Sequence, residues 1–261
     1  MIKILDGQKV AQSILEKVNR NLIKLRSKGI QLSLAVISIE GDEASTAYIH
    51  QKEKLASRLG VIFHLYEMLP LVSEAQIVKL IKKLNNSDSV SGIIVQLPLP
   101  QNLNRRKILD QIKVEKDIDG LNPKNRAKSA TALAILRILD FYGIELKGKK
   151  IGILGNGYLV GQPLTQILKK KGLKFEIWDE KMKDLAQKSK KADILILGTG
   201  QANLVGEEMV KDRVVVIDCG APYAELNDKV KEKLAAYSPV PGGVGPVTLA
   251  ILFENLVKGK S

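Results

Sequence analysis

The chain has 261 residues, 45% of them hydrophobic and 26% charged, with a formal charge of +13. That suffices for one large or two modest globular domains, and the composition is that of a globular rather than a disordered chain. The longest apolar runs, such as Ile151–Leu154 and Val214–Cys219, fall far short of the ~20 residues needed to cross a bilayer.

No sustained apolar stretch opens the sequence, Met1-Ile2-Lys3-Ile4-Leu5-Asp6-Gly7, so no signal peptide and no membrane association are expected. The single cysteine, Cys219, excludes an internal disulfide and makes the cytoplasm the expected compartment. The lysines fall on polar positions of many helical segments and aromatics are only 4%. A nucleic-acid surface would cluster its basic residues and interleave aromatics, so a solvated lysine-rich exterior that attracts anions is expected instead.

Apolar runs rich in Val and Ile alternate with amphipathic segments at helical period, the pattern of a parallel α/β sheet. In chain order the spacing predicts a helix at Gln8–Ser27, a strand at Leu32–Ile39, a helix at Ala44–Leu59 and a strand at Val61–Met68. A helix at Glu74–Leu84, a strand at Ser91–Gln96, a short helix at Arg105–Ile112, a loop at Lys116–Asn125 and a helix at Thr131–Tyr142 follow. The second series predicts strand Lys150–Leu154, helix Leu159–Lys171, strand Phe175–Trp178, helix Met182–Ser189 and strands Asp193–Leu197 and Val214–Cys219. Helix Pro246–Leu256 closes it, and the join near Gly143–Gly148 reads as a domain boundary.

Gly155-Asn156-Gly157 ends a strand and Gly161 lies in the first turn of the following helix. Glycines so placed let the backbone approach a pyrophosphate at a helix N-terminus, although plain packing also uses such turns. The spacing, G-x-G-x-x-x-G, is one residue longer than the usual fingerprint. Asp179 follows the next strand, where an acid accepts from a ribose hydroxyl, and with Glu180 it repels a 2′-phosphate. Both acids would equally suit a solvated loop, but the expectation is NAD in preference to NADP.

Tyr48 and Lys52 share a helix face at i,i+4 spacing. Alone, the pair reads as a surface lysine beside a half-buried aromatic. Val95-Gln96-Leu97-Pro98-Leu99-Pro100 ends a buried strand, because two prolines cannot continue a central ladder, and presents the Gln96 amide at the carboxyl edge. Lys116-Asp117-Ile118-Asp119-Gly120 sets two acids before a glycine, either of which could simply form a turn. His50 and His64 are read as structural or solvated and Cys219 as a buried small hydrophobe, with no metal site expected.

Taken together, Ala44–Lys52, Val95–Pro100, Lys116–Gly120, Gly155–Pro163 and the run Ser238-Pro239-Val240-Pro241-Gly242-Gly243-Val244-Gly245-Pro246-Val247-Thr248 resemble the methylenetetrahydrofolate dehydrogenase/cyclohydrolase family. The stretches stand in the family's order over nearly the whole chain. The resemblance implies two α/β domains with the folate cleft between them. Residues 1–122, completed by a C-terminal helix at 246–261, would form the catalytic domain, and 123–245 a Rossmann-like NAD(P)-binding domain.

It also implies oxidation of methylene-tetrahydrofolate with NAD or NADP and hydrolysis of the methenyl product to 10-formyl-tetrahydrofolate. The setting would be one-carbon metabolism and purine biosynthesis, the enzyme a homodimer, and the folates would come with or without polyglutamate tails. Lys52 would be the central catalytic group, with Gln96 tuning its amine, Tyr48 stacking on the pterin side and Asp119 bonding the pterin's amino edge. Leu97, Pro98, Pro241, Gly242 and Gly243 would complete the folate site. Gly155, Asn156, Gly157, Gly161, Asp179, Glu180, Thr199, Gly200 and Ala221 would hold the cofactor.

Departures from the family pattern gather in the second half. Gly155-Asn156-Gly157 replaces Gly-Arg-Ser, Asp179-Glu180 replaces His-Ser, and Ser129-Ala130-Thr131-Ala132 keeps only the threonine of Pro-Cys-Thr-Pro. A Gly-Asp-Val-Asp run is missed in a shortened 224–237 segment. Two lesser readings therefore stay open: a cyclohydrolase alone, or a folate-binding protein without catalysis.

Overall fold

Branched apolar runs become strands because their side chains pack well on a pleated surface that is buried on both faces. The computed structural model describes residues 2–179 and 181–260, so Glu180 lies outside the described residues. In chain order the elements are β1 (Lys3–Ile4), α1 (Gly7–Arg26), β2 (Ser33–Ile39), α2 (Glu43–Leu59), β3 (Ile62–Met68), α3 (Glu74–Asn85), β4 (Gly92–Val95), α4 (Arg105–Leu109) and α5 (Ala130–Phe141). After these come β5 (Ile151–Leu154), α6 (Gly161–Lys170), β6 (Phe175–Trp178), α7 (Leu185–Ser189), β7 (Ile194–Leu197), β8 (Val215–Asp218), β9 (Ala236–Tyr237) and α8 (Val244–Lys258).

The chain divides into two units, each α/β. One comprises Leu15–Lys128 with Leu252–Ser261 and holds a parallel sheet in the order β3-β2-β4. Its central strand β2 is buried at every position, whereas the edge strand β3 is mostly exposed, Ile62 and Leu65 included. The other comprises Met1–Ile14 with Ser129–Ile251 and holds a parallel sheet in the order β1-β9-β8-β7-β5-β6. Between β5 and β7 the direction of strand addition reverses, because β6 lies on the far side of β5.

The bounds of these units differ from those expected at 1–122 and 123–245. Residues 1–14 group with the six-stranded sheet because β1 pairs in parallel with β9, Lys3 opposite Ala236 and Ile4 opposite Tyr237. Two-residue strands leave no periodicity to read, so the sequence showed neither. The helix predicted at Met182–Ser189 contracts to Leu185–Ser189, its start taken up by a turn in which Met182 N donates to Asp179 O. The last helix begins at Val244, two residues ahead of its proline, since a first-turn proline sacrifices only an N–H that has no helical partner. Among the described residues no helix is long and apolar enough to cross a membrane.

Candidate active site

In the three-stranded unit, α2 is fixed at both ends. Asp42 caps it by accepting from Ser45 N at 2.8 Å, and Gly60 ends it in the left-handed region at φ 64°. Ser45 also reaches the end of β4, its Oγ donating to Leu97 O at 3.2 Å. One helix turn is thereby tied to the strand that carries Gln96, which sets the distance between Lys52 and its partner.

Lys52 is 2% exposed, and its Nζ donates to Gln96 Oε1 at 2.5 Å. The Gln96 amide is oriented by its own Nε2, which donates to Leu97 O at 2.8 Å, leaving the carbonyl oxygen for the lysine. Lys52 Nζ also stands 4.2 Å from the centre of the Tyr48 ring, a cation–π contact. Burial lowers the amine to about 8, against a smaller opposing pull from the Asp119 charge. Burial likewise raises Asp119 to about 6, with Lys52 pulling it down and Asp117 pushing it up. The Tyr48 phenol is raised by burial and by Asp119, and stays protonated.

The two acids of the 116–120 loop divide into a turn former and a chemical group. Asp117 accepts from Gly120 N (3.0 Å), Leu121 N (3.3 Å), Asn122 N (2.9 Å) and Asn125 Nδ2 (3.2 Å). With Gly120 at φ 67° this closes the turn. Ile93 N donates to Lys116 O, laying the loop along β4, and Asn255 Nδ2 donates to both Ile118 O and Lys128 O at 2.8 Å. Asp119 is thus held between two pinned neighbours and lies within electrostatic reach of Lys52 and Tyr48. Lys116, a residue without an assigned role, is buried with Nζ donating to Leu84 O and Ser87 O, where it caps α3.

In the six-stranded unit Gly155 follows β5 with φ 94°, a conformation suited to glycine. A Cβ on Gly161 would lie 2.2 Å from Gly155 O and 2.8 Å from Asn156 Cα, so only glycine lets the turn close onto the helix start. Val160 supplies no side-chain cap to α6, Gln162 N donates to Gly157 O at 3.0 Å and Pro163 has no N–H, so the helix start offers an anion its dipole and Gly161 N. A pyrophosphate fits this backbone cradle despite the extra residue in the spacing. Asp179 is exposed just past β6, its Oδ1 accepting from Lys181 N at 2.9 Å.

Thr199 and Gly200 follow β7, and Ala221, exposed, precedes a cis Ala221–Pro222 bond after β8. Pro241, Gly242 and Gly243 belong to this unit too: Val240–Pro241 is cis, Gly242 has φ 103°, and Gly242 O accepts from Gly7 N at 2.9 Å.

The structure therefore gathers Tyr48, Lys52, Gln96 and Asp119 in one unit, with Leu97 and Pro98 adjoining Gln96, and the glycine turn with Asp179, Thr199, Gly200 and Ala221 in the other. One sequence expectation changes. Cys219 is half-buried rather than fully buried, and desolvation of its thiol, with the carboxylates of Asp218 and Glu225, pushes it well up. Glu225, buried in the segment after β8, was not singled out in the sequence. His50 is exposed, with Nδ1 3.5 Å from Glu53.

Known proteins match this layout across the whole chain. The family model of the tetrahydrofolate dehydrogenase/cyclohydrolase catalytic domain covers residues 5–119, and that of its NAD(P)-binding domain residues 129–261. The bifunctional protein FolD of Nautilia profundicola is 35% identical over 272 residues, covering 98% of this chain and 96% of its own. The crystal structure of the bifunctional FolD of Campylobacter jejuni superposes with a TM-score of 0.93 at 34% identity, over 99% of this chain and 98% of that one. That of Trypanosoma brucei FolD, complexed with NADP and an inhibitor, gives 0.92 at 28% identity, over 99% and 97%. The chain belongs to the tetrahydrofolate dehydrogenase/cyclohydrolase family and is an enzyme with both activities, oxidising methylene-tetrahydrofolate with NAD(P) and hydrolysing the methenyl product.

Proposed function

We propose that Lys52 is the general base of the hydrolytic step and that the dehydrogenase prefers NAD. The observation that carries the first part is the buried amine, bonded to Gln96 Oε1 at 2.5 Å and lowered to about 8. An ordinary lysine, near 10.4, is almost wholly protonated at neutral pH and a poor base. Here a fraction near a tenth is neutral at pH 7, and a cationic methenyl substrate beside it would enlarge that fraction. Water's oxygen then bonds to the methenyl carbon while its proton passes to Lys52 Nζ. The bond from that carbon to N5 breaks, N5 takes a proton, and the formyl group stays on N10. Gln96 holds the amine in line, the Tyr48 ring packs on the pterin side, and Asp119 accepts from the pterin's amino edge.

Oxidation asks less of these side chains, because nitrogen beside the one-carbon bridge stabilises the cation left by hydride loss. What is needed is alignment of donor and acceptor. The nicotinamide, when bound, supplies the hydride acceptor. Gly155, Asn156, Gly157 and Gly161 would receive its pyrophosphate, and Asp179 a ribose hydroxyl. An exposed carboxylate at that point opposes a 2′-phosphate, which supports NAD for this chain although the Trypanosoma brucei relative is complexed with NADP. We assign Pro241, Gly242 and Gly243 to folate contact, Ala221 to cofactor contact, and a cytoplasmic homodimer serving purine synthesis, all on the family resemblance. The basic net charge of +13 favours polyglutamylated folates.

Methylene-tetrahydrofolate supplied with NAD or with NADP tests the cofactor reading, methenyl and reduced nicotinamide being followed together. NAD is expected to be favoured, and Asp179→Ser to narrow the ratio of the two kcat/KM values by about tenfold, the loss of roughly one charge interaction. A ratio that does not move with Asp179→Ser refutes the role of that carboxylate.

A further inference from the structure

Glu225 is 1% exposed in the segment after β8, and no role follows for it from the reaction as described so far. Its Oε2 accepts from Thr199 N at 3.0 Å and from Thr199 Oγ1 at 2.6 Å, and its Oε1 accepts from Gly200 N at 2.8 Å. The backbone that delivers it is fixed as well: Glu225 O accepts from Val205 N and Ala224 O from Asn203 N, both at 2.9 Å. Asp218, also 1% exposed, ends β8 and accepts from Gly220 N at 2.8 Å and Leu226 N at 2.9 Å, folding the 220–226 segment back toward β7. One buried carboxylate shapes the segment, and the second uses that shape to grip the loop after β7. Left unpartnered, a buried carboxylate would be costly; three donors converge on Glu225 to satisfy it.

The gripped loop lies where shape matters. A Cβ on Gly155 would meet Gly198 O at 2.5 Å and Thr199 N at 3.0 Å, and one on Gly198 would meet Val160 at 2.8 Å. The loops that leave β5 and β7 are therefore in backbone contact at the reversal of strand order, the place where open α/β sheets bind ligands at their carboxyl edge. Asp179 follows β6 on one side of β5, and residues 198–201 bound the other side.

We propose that Glu225 is a positioning residue for the dinucleotide, holding Thr199–Gly200 in the form that bounds the cofactor crevice. The inference rests on reading the 155–161 turn as the nucleotide site. It carries a chemical corollary. Thr199 N, Thr199 Oγ1 and Gly200 N all donate to Glu225, and Thr199 Oγ1 accepts from Gln201 N at 3.1 Å. The loop therefore meets the cofactor with carbonyl oxygens and van der Waals surface, not as a donor to phosphate.

The test uses full-length enzyme, with NADH binding, the cofactor KM and kcat of dehydrogenation, and cofactor-free hydrolysis of methenyl-tetrahydrofolate measured on each variant. Glu225→Ala is expected to raise the cofactor KM about tenfold or more, the scale of lost hydrogen bonds to a charged group, while hydrolysis and kcat change less than about twofold. Thr199→Val should raise it a few fold and Thr199→Ser should restore it. A cofactor KM within about twofold of wild type in Glu225→Ala overturns the proposal. If Glu225→Ala loses hydrolysis too, it has misfolded and the threonine pair decides: a rise in Thr199→Val reversed in Thr199→Ser upholds the proposal, and no rise overturns it. Wild-type enzyme that binds neither NADH nor NADPH overturns the reading of the glycine turn, and the role of Glu225 with it, before any variant is made.

Discussion

The two candidate sites are built from opposite materials. Around Lys52 the chain takes polar side chains out of water: the lysine and the Gln96 amide are buried and bonded to each other, and desolvation moves both the Lys52 amine and the half-buried Asp119 from their ordinary ranges. Around Gly155 it removes side chains, so that backbone can approach backbone to within distances no Cβ would survive. The first site is strained electrostatically and its chemistry lives in pKa values. The second is constrained sterically at its glycines, with the Asp179 and Glu225 carboxylates beside them. Loss of the Lys52 charge should therefore damage the first and spare the second, and added volume at the glycines the reverse.

The most severe test of that contrast is Lys52→Met. Loss of the base is expected to cut hydrolysis about a thousandfold, the middle of the range for a general base. Stability should not follow it down. Lowering the amine from 10.5 to about 8 corresponds to roughly 3 kcal/mol of burial penalty at neutral pH, which the variant sheds, against about 1–3 kcal/mol for stranding the Gln96 amide. A thermal midpoint well below wild type would show that the charge is not strained, and the contrast between the sites would fail.

Next in size is Gly161→Ala. The added methyl would lie 2.2 Å from Gly155 O, and the cofactor KM is expected to rise about a hundredfold, an overpacking cost of a few kcal/mol. Hydrolysis should persist, and its loss would mean that the sites are not separable by volume.

The pH dependence is a gentler probe. Hydrolysis should climb about tenfold per pH unit below pH 8 and level off above it, following the neutral amine. The sign for stability is the same: the folded chain releases the Lys52 proton at about 8 and the unfolded chain at about 10.5, so the penalty is full below pH 8 and fades as pH rises between them. A hydrolysis profile flat from pH 6 to 9 would remove the lowered amine from the mechanism. Smallest is Asp42→Ala, which deletes the cap of the helix carrying Tyr48 and Lys52. It should cost about 1 kcal/mol of stability and leave the cofactor KM unchanged.

Much of this was legible in the residue string. Strands β2, β4, β5 and β7 announced themselves as short branched apolar runs because they are buried on both faces. Tyr48, Lys52, Gln96 and Asp119 could be singled out only through resemblance, since a tyrosine and a lysine on one helix face are ordinary until burial is known. The division of labour between Asp117 and Asp119 was not legible. Both precede a glycine, and only the amides that converge on Asp117 separate the turn former from the acid within electrostatic reach of Lys52. Glu225 and Lys116 were missed for a related reason: buried charges satisfied by backbone look, in sequence, like any surface charge.

Asn255 bears on how the molecule is made. Its amide clasps Ile118 and Lys128, bracketing the loop that presents Asp119, yet it stands more than a hundred residues further along the chain. On the ribosome, where residues emerge in order, the three-stranded sheet and α2, which bring Lys52 to Gln96, can form while most of the chain is still unmade. The clasp on the Asp119 loop cannot close until α8 has left the exit tunnel. A nascent chain halted before that helix would carry Tyr48, Lys52, Gln96 and Asp119 and lack the clasp on the Asp119 loop, so that loop is firmly held only once α8 has been made.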